Sequence, residues 1–411
     1  MTEDDRKRRA LTHVGGRIDT AGDAPDAKLL AHAIDVPPST DADGDPSRAH
    51  VHGFHTYPAR MHPDTASRLV KAFSPEKGRV LDPFCGSGTV LIEAMIAGHN
   101  PLGTDLNPLA VRLARCKTRP REEAELEALV EKATECAAHA EERRRTKAGA
   151  TRRLPQEDVE LFEPHVLLEL DSLRDKAMSF QADRSQQDLM LVLSSVLVKL
   201  SRKRGDTATG TAPRRTSPGF ASKVFLQKAG ELARAMSAFR KLLPTPLPRP
   251  AFVKPDNATE LTSLPAGPVD AVVTSPPYAA TYDYLEHHAM RLRWLGLSAS
   301  ALQRGEMGSR SAYRRVPPAA AAGEWSRELA RFFAAVGRSL KPGGPLVLLM
   351  ADSAVGPVAL RADEIVAETA RACGFYPAAR ASQVRPHFHG PTMAAFRARP
   401  RAEHAILLRK T

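Results

Sequence analysis

Cysteine is scarce: four residues in 411, Cys85, Cys116, Cys136 and Cys373, with no Cys-x-x-Cys pair among them. That usage excludes a disulfide framework and a cysteine zinc cluster, and fits a reducing cytoplasm. No run of about 18 apolar residues occurs, so there is no candidate transmembrane helix. The opening MTEDDRKRRALTHVGGR follows its charges with no apolar signal-peptide core. A soluble protein of the cytoplasm with no membrane partner is expected. No internal repeat is visible.

Acidic residues are outnumbered, 47 Asp and Glu against 59 Lys and Arg, a formal net charge of +12. Such a surplus favours a polyanionic partner by long-range attraction to phosphates, although charge alone does not decide it. The length is ample for a large core.

Residues 1–48 are rich in Asp, Pro, Ala and Thr and offer little to bury, which predicts a disordered arm. Order is expected from HGFHTYPARMHPDTASRLVKAF, where Pro63 and Asp64 start a helix with Ala66, Leu69, Val70 and Phe73 at helical spacing. The stretch GRVLDPFCGSGTVLIEAMIAGHNPLGTDLN reads as strand, glycine turn, helix and strand, the beginning of a parallel sheet. From 120 to 250 the strand signal vanishes and helical patterns take over. Strands return at Ala251 to Lys254, Val269 to Thr274 and Leu346 to Met350, then a helix from Ala362 to Cys373 and a closing strand in RAEHAILLRK. The expected organisation is an α/β domain split into residues 49–119 and 251–411 around a helical insertion, 120–250.

In LDPFCGSGT the strand ends at Asp82, and Gly86, Ser87 and Gly88 let the backbone approach a ligand, with Thr89 in the first helical turn. Asp105 closes the next strand, where an acid accepts both hydroxyls of an adenosine ribose. The third glycine of a dinucleotide turn is missing, and so is the lysine of a phosphate loop. An adenosine ligand without phosphates remains, and S-adenosylmethionine is the common one.

Downstream, VDAVVTSPPYAATYDYLE ends a buried strand on Ser275, Pro276, Pro277 and Tyr278. The prolines remove backbone donors and fix φ, leaving a rigid rim of oxygen acceptors.

DPFCGSGT together with TSPPY resembles the amino-methyltransferases that methylate exocyclic amines of bases in DNA. The resemblance extends over FHTYPARMHP, KLSRKRGDT, GSRSAYR and EHAILLRK, and so over most of the chain from His55 onward. It implies a Rossmann-like class I methyltransferase fold, a mostly parallel sheet flanked by helices. It also implies S-adenosylmethionine held by the closing segment Tyr57, Pro58, Ala59 and Arg60, and by the turn Asp82, Pro83, Phe84, Cys85, Gly86, Ser87, Gly88 and Thr89. Asp105, Leu106 and Asn107 would lie at the ribose, and Asp256 and Asn257 at the adenine.

Ser275 and the Pro276 carbonyl would accept from the target amine, whose lone pair is delocalised into the ring and must be drawn into a pyramidal geometry. Tyr278 would stack on a base taken from its helix, with Tyr282 and Tyr284 extending the platform. In the family Ser at the first position goes mostly with cytosine N4, and Asp with adenine N6 or guanine N2 of RNA, so Ser275 points to cytosine first and adenine second.

The insertion stands where one class of these enzymes carries target recognition. Its Arg202, Lys203, Arg204, Arg214 and Arg215 are candidates for phosphate contact. His387 and His389 are too few to hold a metal without carboxylate or cysteine company, and the transfer needs none. A role in restriction-modification is expected with the DNA reading, and an RNA or tRNA base methyltransferase and a catalytically silent nucleic-acid-binding module are the remaining alternatives.

Overall fold

The computed structural model describes residues 15–37, 45–180, 184–206, 210–387 and 390–411. Ten strands are found among them: β1 (Ile18–Gly22), β2 (Arg79–Asp82), β3 (Asn100–Asp105), β4 (Phe252–Pro255), β5 (Ala271–Thr274), β6 (Pro345–Ala351), β7 (Ser353–Val355), β8 (Val358–Leu360), β9 (Phe375–Val384) and β10 (Ala402–Lys410). Eight form one sheet in the order β1-β9-β10-β6-β5-β2-β3-β4, and β7 pairs only with β8. The ladders from β4 to β6 are parallel, while β10 runs antiparallel to both β6 and β9. This is the class I methyltransferase arrangement, with β1 added at one edge.

Strand β6 shows why its sequence is an uninterrupted apolar run. Leu346, Leu348 and Met350 enter the core beneath helices Ala321–Ser339 and Ala362–Ala372. Val347 and Leu349 enter the opposite core, shared with helix Pro63–Phe73. Both faces are covered, so alternation disappears, as parallel sheets require.

Residues 15–37 are not part of a structureless arm, as the composition of residues 1–48 suggests. Residues 1–14 and 38–44 lie outside the described residues, but β1 pairs antiparallel with β9 from Ile18↔Gln383 to Gly22↔Ala379. Helix Ala24–Ile34 follows, with the Asp23 side chain accepting from the Asp26 N–H. Its Ala27, Leu30, Ala33 and Ile34 are buried against Leu69, Val70 and Ala379. Four apolar side chains on one helical face suffice to anchor a segment that is otherwise polar.

The helices Glu123–Arg145, Pro164–Ser179, Arg184–Leu200 and Phe220–Leu242 share a single core with Val51, Phe54, Tyr57, Leu109 and Leu113. They are therefore packed onto the segment that precedes Pro63 and onto helix Pro108–Lys117. His55 Nε2 meets the Ser194 hydroxyl at 3.1 Å, and Arg291 Nη2 donates to Thr56 Oγ1 at 2.9 Å.

Candidate functional site: two cavities with a common wall

Strand β2 lies between β3 and β5, so the connections leaving it diverge and open a crevice at the carboxyl ends of the strands, where open α/β sheets bind ligands. Asp82 ends β2 and is buried; its Oδ1 accepts from Thr274 Oγ1 at 2.6 Å and from the Phe84 N–H at 3.1 Å. Burial pushes this carboxyl up to about 7 even so. Asp82 thus joins the ends of β2 and β5 and fixes the glycine turn from below. Gly86 and Gly88 follow with φ of 49° and 92°, values that favour glycine, and the Gly86 N–H donates to Asp105 Oδ2 at 2.9 Å. A Cβ on Gly86 would lie 3.4 Å from the Tyr57 ring.

Asp105 is the carboxylate at the end of β3, and its Oδ1 accepts from the Asn107 N–H at 2.8 Å. Burial raises it to about 6, against those two hydrogen bonds. Asn107 caps the next helix through Leu109 N–H and donates from Nδ2 to the Tyr57 hydroxyl at 3.1 Å. The Tyr57 ring in turn stacks on His288, centroids 4.8 Å apart. The closing segment is so tied to the strand end that carries Asp105.

One cavity is lined by Tyr57, Ala59, Pro83, Phe84, Gly86, Asp105, Leu106, Asn107, Asp256, Asn257 and Ala258, and also by Ser275, Pro277 and Tyr284. Leu302, Gly305, Glu306 and Met307 complete it, and none of these four carries a sequence signature. Glu306 accepts from the Tyr284 N–H at 2.7 Å, and burial pushes it up to about 7.

A second cavity of ≈ 440 Å³ is lined by Ser275, Pro276, Pro277, Tyr278, Tyr282 and Tyr284, by Arg60, Arg310, Arg385 and Arg401, and by Asp352 and Glu403 among others. Ala59, Ser275, Pro277 and Tyr284 line both cavities and form their common wall. Ala59 holds φ at 54°, a left-handed conformation that costs a non-glycine residue about 1 kcal/mol or more and concentrates at functional sites. Ser275 Oγ donates to the Leu349 carbonyl at 2.9 Å, and Tyr278 Oη to Glu403 Oε1 at 3.4 Å.

Other expected residues fall elsewhere. Asp82, Cys85, Ser87, Gly88 and Thr89 support the turn without lining either cavity, Pro58 lines neither, and Arg60 faces the second cavity only. Arg202, Lys203, Arg204, Arg214 and Arg215 line neither cavity. The Arg202 guanidinium donates to the Glu160 carbonyl, and Lys203 is half-buried beside Asp206. His387 reaches the second cavity, and His389 lies outside the described residues. Among the described residues no helix is long and apolar enough to cross a membrane.

The residues fit S-adenosylmethionine. An acceptor carboxylate sits at the strand end, Gly86 turns the backbone with a left-handed φ of 49° beside it, and an apolar wall of Phe84, Leu106 and Ala258 suits an adenine ring.

Residues 36–115 match the model of a DNA methylase family, N6_N4_Mtase. The chain is 40% identical over 79 residues to the Type II methyltransferase M.MvaI of Kocuria varians, 18% of this chain and 17% of that protein. It is 25% identical over 284 residues to the Type II methyltransferase M.BsoBI of Geobacillus stearothermophilus, 62% and 54% of the two chains. A third similarity, 40% over 62 residues, is to the tRNA (guanine(10)-N2)-dimethyltransferase of Methanothermobacter thermautotrophicus, 15% of this chain and 18% of that one. The chain thus spans from about a sixth to about half of these relatives. The segment that carries the closing loop, the glycine turn and Asp105 is the part of the chain that matches this DNA methylase family.

Proposed function

We propose that this protein methylates the exocyclic amine of a base in DNA, N4 of cytosine in preference to N6 of adenine, as a cytoplasmic modification enzyme. The common wall of the two cavities carries the reading: Ser275 and Pro277 face the cofactor cavity on one side and the second cavity on the other. A donor in one cavity and an amine in the other can be brought into line at that shared boundary, and such positioning supplies much of the rate.

S-adenosylmethionine supplies an electrophilic sulfonium methyl group. The chain's contribution is to hold and polarise the amine. The Ser275 proton is committed to the Leu349 carbonyl, so the hydroxyl presents lone pairs to the cavity. An amine hydrogen accepted there draws the nitrogen toward a pyramidal geometry, and the bond strengthens as positive charge grows on nitrogen. Tyr278, Tyr282 and Tyr284 give the base an aromatic surface, and Arg60, Arg310 and Arg401 at the same cavity suit flanking phosphates. Residues 120–250 act by bracing the closing segment through Ser194, whose hydroxyl meets His55 Nε2, rather than by touching the base.

RNA is the second reading, favoured by the similarity to a tRNA dimethyltransferase. Tritiated methyl transfer to DNA and to total RNA, followed by nucleoside analysis, separates the two. N4-methylcytosine from DNA is the expected product, and label confined to RNA refutes the proposal.

A further inference from the structure

The charged side chains in the wall of the second cavity are Arg60, Arg310, Arg385 and Arg401 against Asp352 and Glu403. Both acids are taken. Glu403 Oε2 accepts from Arg385 Nε and Nη2 at 3.0 and 2.9 Å, and the oxygens of Asp352 meet Arg361 and His404 at 2.8 and 3.1 Å. Arg310 is answered from outside the cavity by Asp283, 3.2 Å from its Nε. Asp45, whose charge reaches Arg60, pairs with Arg48 at 3.6 Å. Arg60 and Arg401 are thus left without an ion pair among the described residues, two cations in one cavity wall with no acid of their own.

Each of the two is anchored by one nitrogen and free at the others. Arg60 Nη1 donates to the His52 carbonyl at 2.6 Å, and Arg401 Nε to the Asp352 carbonyl at 2.8 Å. The remaining guanidinium nitrogens have no partner among the described residues and none of them is enclosed, so an incoming acceptor can reach them. Arg401 also stands beside the aromatic surface, close enough for its charge to be felt by Tyr278 and Tyr282. Both side chains are half-buried. A partly desolvated cation without a counter-charge is costly, and a ligand that brings one removes the cost.

A nucleotide whose base enters this cavity carries a phosphodiester on each side, two negative charges for two unanswered cations. We propose that Arg60 and Arg401 each bind one backbone phosphate of the target strand, the two that flank the flipped nucleotide. The assignment rests on the proposed amine methylation of DNA and narrows its phosphate contacts to two of the four cavity arginines, because Arg310 and Arg385 stay with their carboxylates. A guanidinium held at one nitrogen presents the others in a fixed fork, the geometry that suits phosphate oxygens. The substrate is thereby a polynucleotide rather than a nucleoside or a free base.

The test follows kcat/KM of the full chain for unmodified DNA, with tritiated S-adenosylmethionine, as salt rises from about 50 to 200 mM. Each phosphate contact on duplex DNA contributes about 0.9 to the slope of log affinity against log salt. Arg401→Met and Arg60→Met should therefore each flatten the wild-type slope by about one, and the double variant by about two. Arg401→Lys keeps the charge and should keep the slope, and so should Arg310→Met, whose cation is already paired. Calorimetry of S-adenosylmethionine binding reports folding; if Arg60→Met loses it, the Arg401 variants decide. A wild-type slope in Arg401→Met overturns the assignment, as does a double variant no flatter than the single ones, or an Arg310→Met that flattens the slope as much. Those results leave amine methylation standing, whereas wild type that labels no DNA overturns both.

Discussion

Ser275 and Leu349 are joined across the β5–β6 seam, Oγ of one donating to the carbonyl of the other at 2.9 Å. The bond does more than hold the turn. It uses the only proton of the hydroxyl, so what remains at the cavity is an acceptor, which is the polarity that a target amine requires. The same contact ties the motif to a strand whose Leu349 is buried in the core, so the acceptor is fixed before any substrate arrives.

Ser275→Ala should therefore slow methyl transfer by about 100–1000-fold, in the range of losing one preorganised catalytic hydrogen bond. Cofactor affinity should change little, because the Ser275 hydroxyl is already bonded to the Leu349 carbonyl and the ribose acceptor Asp105 is untouched. Single-turnover labelling of DNA with calorimetry of S-adenosylmethionine binding checks both halves, and a variant that loses affinity but keeps its rate contradicts the site.

Asp105 gives a pH signature. Its carboxyl is raised to about 6 by burial, and it must be ionised to accept from the ribose while still accepting from Gly86 and Asn107. As pH falls through 6 the carboxylate takes a proton and loses an acceptor site, so cofactor affinity should fall, approaching about tenfold per unit well below that value. Above pH 7 affinity should be flat with respect to this group. Asp105→Asn should bind about 10–100-fold more weakly at pH 7.5, from losing charge-assisted hydrogen bonds, and should show no such slope. Calorimetric titrations between pH 5 and 8 measure it; a wild-type affinity independent of pH counts against the assignment.

The glycine turn, Asp105 and the Ser-Pro-Pro-Tyr corner were legible in the sequence because each is a local solution at the end of a strand, written in consecutive residues. The wall from Leu302 to Met307 was not, because residues far along the chain are brought beside Asn257 by the fold alone. Arg385 and Glu403 meet only through the pairing of β9 with β10, and β9, FYPAARASQV, has too many small residues to show alternation. The edge strand β1, with four exposed residues in five, carries no hydrophobic signal at all. Helix Ala24–Ile34 did carry one: Asp23 as cap, Pro25 at its start, and Leu30 with Ala33 and Ile34 on one face. The polar composition around it concealed that pattern.

The ordering of residues 15–37 has a direct consequence. Leu30 is fully buried between helix Pro63–Phe73 and the β9 edge of the sheet. Leu30→Ala should cost about 2–5 kcal/mol, the usual loss for a truncated core leucine. Urea unfolding of variant and wild type tests it, and an unchanged midpoint would return this segment to the status of a loose arm.

The chain entering the helices of residues 123–242 is pinned to helix Arg184–Leu200 by a buried ion pair. Arg121, 2% exposed, places Nη1 at 2.6 Å from Asp188 Oδ2 and Nη2 at 2.8 Å from Oδ1. Arg119 approaches the same carboxylate at 3.5 Å. Asp188→Ala strands the Arg121 cation in the core and should destabilise the fold by about 3–5 kcal/mol. Because helix Arg184–Leu200 also carries Ser194, which bonds His55 beside the closing segment, the loss should reach the cofactor site. Arg121→Met combined with Asp188→Leu removes the charges together and should recover much of the stability, since apolar replacement of a buried pair is often neutral. Recovery of the unfolding midpoint and of S-adenosylmethionine affinity in the double variant is the expected result. A double variant less stable than Asp188→Ala would show that the pair contributes through its hydrogen-bond geometry rather than through mutual neutralisation.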